Sequence, residues 1–298
     1  MPVSVVLITG AATGIGNLTA KALARAGHTV YASMRSVKGS NREHACELLD
    51  IAEKENQDLR VLELDVTSQE AADAAVQRIL EETGRLDVVV QNAGHLYVGY
   101  LEAFTPADLA DLFDTNVLGA HRVNRAALPH MRQRRAGTLI WVGSTIPITT
   151  PPFLGPYTAS KAAMDSLAVS YAYELNAFGI ESTIVMPGPF TQGTRHFPDA
   201  SQAGDAARAA EYAELDPLVQ RNNEAHDRLF PDGAENAHPS AVADEIVRVL
   251  ALPRGSKPLR TVVDFTEAGV EKANAVVRST REAFVQRMGF GELLKVKR

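Results

Sequence analysis

Short runs of continuous apolar residues alternate along this chain with longer stretches in which apolar positions recur every three or four residues. Val3–Ile8 is β-branched and almost unbroken in its apolar character, as a strand covered on both faces reads. From Gly16 to Gly27 the pattern changes: Leu18, Ala22, Leu23 and Ala26 fall at helical spacing, and Gly27 suits a C-cap. His28–Ser33, Leu59–Leu64 and Leu86–Val90 read as the second, third and fourth strands. A helix Gln69–Thr83, capped by Ser68, separates the last two. A long amphipathic helix is expected from Pro106 to Arg134, then a strand Gly137–Val142, a helix Gly155–Phe178 and a strand Ile180–Met186. Strands separated by helices of this length specify right-handed βαβ units and a parallel sheet.

The rhythm breaks at residues 191–238, which are polar, alanine-rich and strewn with proline and glycine, and read as an insertion forming a substrate lid. It resumes with a helix Pro239–Leu252 and a seventh strand Arg260–Phe265. Residues 267–298 form a partly helical C-terminal extension able to cover a site or a neighbouring subunit. No linker, low-complexity tract or internal repeat divides the chain, so residues 1–298 are expected to be one domain. The fold class expected is α/β: a Rossmann-type, doubly wound, seven-stranded parallel sheet flanked by helices on both faces.

Charge and composition narrow the partners. Among 298 residues, 30 are basic and 36 acidic, a net charge of −6 that offers no general field for a phosphate backbone. The basic runs Arg132–Arg135 and Lys295–Arg298 are short, so nucleic acid is not an expected partner. A single cysteine, Cys46, rules out an intrachain disulfide and fits a reducing compartment. No run approaches the roughly 18 apolar residues of a membrane span, and no basic segment precedes the first apolar run, so a cytoplasmic location is expected. No cluster of His, Cys and carboxylates has metal-ligand spacing, and no metal is expected.

The segment Thr9-Gly10-Ala11-Ala12-Thr13-Gly14-Ile15-Gly16 lies between the first strand and the first helix. Glycines there permit a tight turn and bring backbone N–H groups to a pyrophosphate at the positive end of the helix. Gly10, Thr13, Gly14, Ile15 and Gly16 are therefore candidate cofactor contacts. At the end of the second strand a carboxylate favours NAD and a basic residue NADP. Here Ala32-Ser33-Met34-Arg35 has no carboxylate, and Arg35 favours NADP; one residue of register decides the matter, and NAD remains open.

Tyr157 and Lys161 are four apart on one expected helix and so share a face. A nearby ammonium favours the phenolate form of a phenol, whose pKa is otherwise about 10, and makes tyrosine a usable general acid or base. Ser144 follows the strand Gly137–Val142, at the strand end where such sheets gather ligands, and its hydroxyl can hold a carbonyl or alkoxide oxygen. Phe153, Leu154, Phe190 and Phe197 are candidates for an apolar pocket wall.

Together these marks resemble the short-chain dehydrogenase/reductase family of the single-domain kind. They stand here as Thr9-Gly10-x-x-x-Gly14-x-Gly16, Asp65-Val66, Gln91-Asn92-Ala93-Gly94, Asn116, Ser144, Tyr157-x-x-x-Lys161 and Pro187-Gly188. The resemblance implies that Asp65 and Val66 contact the adenine, and that Asn92, Ala93 and Gly94 line the cofactor. It implies that Asn116 holds a water linking Lys161 to solvent, Ser144 polarises the substrate oxygen, and Tyr157 exchanges the proton. Lys161 would lower the tyrosine pKa and grip the nicotinamide ribose, while Pro187, Gly188, Phe190 and Thr191 would pass beside the nicotinamide. A threonine often stands five residues after that proline in the family; here Gln192 does, and Thr191 comes one earlier. The Ala-Ser-Met-Arg and Pro-Gly-Pro-Phe runs are similar to those of hydroxysteroid- and retinol-type members, which implies a lipophilic alcohol or ketone as substrate. Family members associate through the helix carrying the tyrosine, so a homodimer or homotetramer is expected. The function expected is hydride transfer between NADP(H) and a carbonyl or secondary alcohol. The alternatives are the same chemistry with NAD(H), or a catalytically silent dinucleotide-binding sensor or scaffold.

Overall fold

The computed structural model describes residues 3–297; Met1, Pro2 and Arg298, the end of the second basic run, lie outside them. Its strands are β1 (Val5–Ile8), β2 (Thr29–Met34), β3 (Leu59–Glu63), β4 (Val88–Gln91), β5 (Gly137–Val142), β6 (Ile180–Pro187) and β7 (Arg260–Val263). They form one parallel sheet in the order β3-β2-β1-β4-β5-β6-β7, the expected doubly wound arrangement. Successive helices are α1 (Gly14–Arg25), α2 (Arg42–Lys54), α3 (Gln69–Thr83), α4 (Pro106–Phe113), α5 (Gly119–Arg134), α6 (Ile146–Thr149) and α7 (Gly155–Asn176). They are followed by α8 (Ala206–Ala210), α9 (Asp216–Asp227), α10 (Ser240–Ala251) and α11 (Val270–Arg287).

The continuous apolar runs are explained by burial on both sides. Val5 and Leu7 join Leu139 and Trp141 on one face, packed under α3, α5 and α7. Val6 and Ile8 join Ile140 and Val142 on the other, under α1, α2 and α10. Strand side chains alternate between faces, so a sheet covered twice favours apolar residues at successive positions, as in Val5–Ile8 and Val88–Val90. The order reverses between β1 and β4, and the carboxyl ends of these strands open the crevice in which such sheets bind ligands.

Besides the short helix α6, the structure differs from the sequence reading in three places. The helix expected over Pro106–Arg134 is interrupted by a π-helical turn, Asp114–Leu118. The wider turn carries Asn116, which is buried and tied to the backbone of His95. Second, α2 has no counterpart in the sequence reading. Only Ala45, Leu48 and Ala52 of its residues are buried, and so narrow a stripe is a weak periodic signal. Third, the insertion 191–238 contains two helices, α8 and α9.

Candidate active site

The glycine loop is built by what it excludes. Gly10 and Gly14 have φ of +65° and +56°, a region in which side-chain-bearing residues are strained. A Cβ on Gly10 would lie 2.8 Å from Ala93 Cα, and one on Gly16 would lie 2.4 Å from both Gly10 O and Asn92 Nδ2. Asn92 fixes this packing: its Nδ2 donates to Thr9 O at 3.0 Å and Gly10 O at 2.9 Å, and its backbone N–H donates to Thr9 Oγ1 at 3.0 Å. The N-cap of α1, Thr13, makes no side-chain bond, and the first turn holds no carboxylate. Its N–H groups thus remain available to an anion at the positive helix end.

A cavity of about 1050 Å³ runs from this loop across the strand ends. Met34 and Arg35 line it with Asp65 and Val66, and so do Asn92, Ala93 and Gly94. Burial pushes the Asp65 carboxyl up, but the backbone N–H and hydroxyl of Thr67, with Arg35 and Arg122 nearby, bring it below the usual range. Farther along, Ser144, Tyr157, Lys161, Pro187, Gly188 and Phe190 reach the same cavity. Two of the motif residues support it from behind. Gly16 packs under the loop, and Asn116 Nδ2 donates to His95 O at 3.0 Å and to Ser160 Oγ at 3.1 Å. Ser160 Oγ in turn donates to the carbonyl of Tyr157 at 2.8 Å, so Asn116 anchors the first turns of α7.

Two expectations need correction. Thr191 does not line the cavity; its hydroxyl is buried without a partner. Phe190 is the buried residue here, packed edge-on against Phe265, and the chain turns at Gly193 (φ +71°) to deliver Thr194 to the cavity beside Gly14. Phe153 likewise leaves the wall that Leu154, Phe190 and Phe197 form: it adopts φ +64° and packs edge-on against Tyr100. Asn41, His44 and His196 line the cavity without any signal in the motifs: the first two stand at the start of α2 and the third in the insertion, outside the recognisable strand ends.

The electrostatics of the pair on α7 also differ from the expectation. Lys161 Nζ lies 5.8 Å from the centre of the Tyr157 ring and donates to Val142 O at 2.9 Å. Burial pushes the Tyr157 phenol up and the Lys161 amine down to about 8. The ammonium is held on the strand carbonyl, and desolvation outweighs its pull on the phenol. Burial therefore shifts the Tyr157 phenol away from its ionised form.

The buried amine has a consequence for stability. Unfolded, Lys161 keeps its proton up to about pH 10.5; folded, only up to about 8. Between these values the unfolded chain binds more protons, so stability rises with pH, and the full penalty of a buried charge is present below about 8. That penalty is about 3 kcal/mol at most, and loss of the bond to Val142 O offsets about 1 kcal/mol of any gain from removing it. Without dinucleotide, Lys161→Met is expected to raise the melting midpoint at pH 7 by about 2–4 °C and to flatten its rise above pH 8. Scanning calorimetry across pH checks this; an unchanged pH profile contradicts it.

Comparison with known proteins agrees with this geometry. The family model described as short chain dehydrogenase matches residues 4–203. The chain is 30% identical over 263 residues to a 3-ketodihydrosphingosine reductase of Bacteroides thetaiotaomicron, covering 88% of each chain. It is 34% identical over 271 residues to retinol dehydrogenase 8 of Bos taurus, covering 88% of this chain and 82% of that one. A short-chain dehydrogenase from Streptomyces avermitilis superposes with a TM-score of 0.75 at 28% identity, over 97% of this chain and 98% of that one. The protein belongs to the short-chain dehydrogenase/reductase family and is an oxidoreductase. Among the described residues no helix is long and apolar enough to cross a membrane.

Proposed function

We propose that this protein reduces a lipophilic ketone or aldehyde with NADPH, or runs the reverse oxidation. The observation that carries the reading is the single cavity into which the glycine loop, Arg35, Ser144, Tyr157 and Lys161 all open. The residues fit a dinucleotide: a Cβ would fill the cradle at Gly10 and Gly16, and the N–H groups of α1 are left for a pyrophosphate. Bound nicotinamide supplies or takes up the hydride.

The chain's own groups do the rest. Ser144 Oγ, which accepts from Ile146 N–H at 3.1 Å, keeps its own proton to donate to a carbonyl oxygen. The neutral Tyr157 hydroxyl gives its proton to the same oxygen as an alcohol forms. Lys161 holds the ribose end of the cofactor, and Asn116 fixes the turn from which Tyr157 projects. Leu96, Ile146, Leu154 and Phe197 exclude water from the reacting end and favour an apolar substrate. The ketodihydrosphingosine reductase and retinol dehydrogenase among the relatives support an alcohol/ketone pair on such a molecule. Residues 191–238, which supply Thr194, His196 and Phe197, act as the lid over it.

NADP is favoured by Arg35, which lines the cavity beside Asn41 and His44 where no carboxylate closes β2. Calorimetric titration is expected to show NADPH binding more tightly than NADH. Arg35→Ala should weaken NADPH by about 10- to 100-fold, the value of a charge-assisted contact, and leave NADH nearly unchanged. Tighter binding of NADH by the wild type would overturn the NADP assignment.

A further inference from the structure

The C-terminal helix α11 carries a second apolar pattern besides the one that packs it. Val270 and Val285 are its buried residues. On another side Val276, Val277, Phe284 and Met288 fall at helical spacing around Thr280 and form an outward stripe. These four and Phe290, just past the helix, are 47–66% exposed. Apolar side chains scattered singly over a surface need no explanation, but a contiguous stripe marks a face for another molecule.

Charge sets this segment apart from the rest of the chain. Residues 270–298 hold seven basic and three acidic side chains, a net charge of +4, whereas the other 269 residues carry −10. Each helical residue adds about 100° of rotation, which places Glu271 and Glu282 on the side away from the stripe and Lys272 and Arg287 along its border. Lys295 and Lys297 follow, both exposed. A second copy of the stripe fits this face badly. Antiparallel pairing about Thr280 brings Arg287 of each copy to Lys272 of the other, and parallel pairing sets each cation beside its counterpart. An anionic bilayer meets both features, because a basic helix with an apolar face lies in the headgroup region with its apolar side chains below and its cations at the lipid charges.

We propose that the exposed face of α11 docks the protein on an anionic lipid surface, with Phe284, Met288 and Phe290 entering the interface and Lys272, Arg287, Lys295 and Lys297 meeting the lipid headgroups. Ala268, two residues before the helix, lines the large cavity, and α11 packs against α6, whose Ile146 and Thr149 line it too. Docking therefore sets the cavity beside a store of apolar molecules. That consequence rests on reading the cavity as the site of a lipophilic substrate; the docking does not.

The test sediments the full-length protein with vesicles of phosphatidylcholine alone or with about 30% phosphatidylserine, at about 0.1 M salt. The serine-containing vesicles are expected to carry down the protein at least 10-fold more strongly than phosphatidylcholine alone, and raising the salt should release it. Phe284→Ser combined with Met288→Ser should weaken this binding by at least 10-fold, with no change in melting midpoint because both side chains are exposed. Lys295→Glu with Lys297→Glu should weaken it as much and leaves the helix untouched. Absence of the protein from the serine-containing pellet overturns the proposal, and so does binding that survives both pairs of substitutions. Sedimentation equilibrium without lipid tests the other occupant: a dimer that Phe284→Ser with Met288→Ser dissociates assigns the face to a second copy and also overturns it. Ketone reduction is measured separately, so vesicle binding by a protein that reduces no ketone supports the docking while the assigned reaction fails.

Discussion

Tyr157→Phe is expected to lower ketone reduction by at least 100-fold, toward 10⁴-fold, while NADPH affinity changes by less than about threefold. The range is that of a positioned general acid. The phenol is placed for this role by three features that the substitution leaves intact. It stands on α7 one turn before Lys161; its carbonyl is tied through Ser160 to Asn116; and its ring is buried, at 8% exposure. Phenylalanine keeps the ring and its contact with His196 and removes only the hydroxyl. Because burial keeps the phenol neutral, the defect should be as large at pH 6 as at pH 8 in the reductive direction. Steady-state kinetics with a titration of NADPH separates the two effects. A variant that turns over at the wild-type rate would remove Tyr157 from the mechanism.

Gly16→Ala is expected to weaken dinucleotide binding by about 100-fold, as displacements near 1 Å do in a preorganised site, and to destabilise the fold by about 1–3 kcal/mol through overpacking. The added methyl would sit 2.4 Å from Gly10 O, a backbone atom, and 2.4 Å from Asn92 Nδ2. The Asn92 amide can withdraw only by giving up its bonds to Thr9 O and Gly10 O, the bonds that hold the loop against β4. Relief must come from the phosphate-binding turn itself. Calorimetric titration with NADPH and urea denaturation measure the two losses; wild-type affinity in the variant would show that the loop tolerates a side chain there.

The parts of this molecule that the sequence makes legible are those in which one residue's chemistry fixes its surroundings. Strands buried on both faces favour apolar runs, most fully in β1 and β4, and all seven strands could be located, with ends differing by up to two residues, as at Val3 and Phe265. A turn that must pass a diphosphate needs glycine, and a tyrosine that must meet a lysine on a helix needs a spacing of four. The illegible parts depend on distant packing. The π-helical turn at Asp114–Leu118 adds a single residue to a continuous helical pattern, and its cause is the pairing of Asn116 with His95 and Ser160. Thr194, and not Thr191, reaches the cavity because the chain turns at Gly193 against Pro239, forty-six residues away in sequence. The pairing of Tyr157 with Lys161 was readable, but its sign was not. Whether the ammonium or desolvation prevails depends on burial and on Val142 O, which no local pattern encodes.

Hydride transfer within this cavity is tested most directly with NADPH carrying deuterium at C4 of the nicotinamide on the face that reacts. The purified protein is incubated with this reagent and 2-decanone, and the product is analysed by mass spectrometry. The account expects 2-decanol with one deuterium at the carbinol carbon, formed by the wild type and reduced by at least 100-fold in Tyr157→Phe. No labelled alcohol from NADPH or from the equally labelled NADH would contradict it.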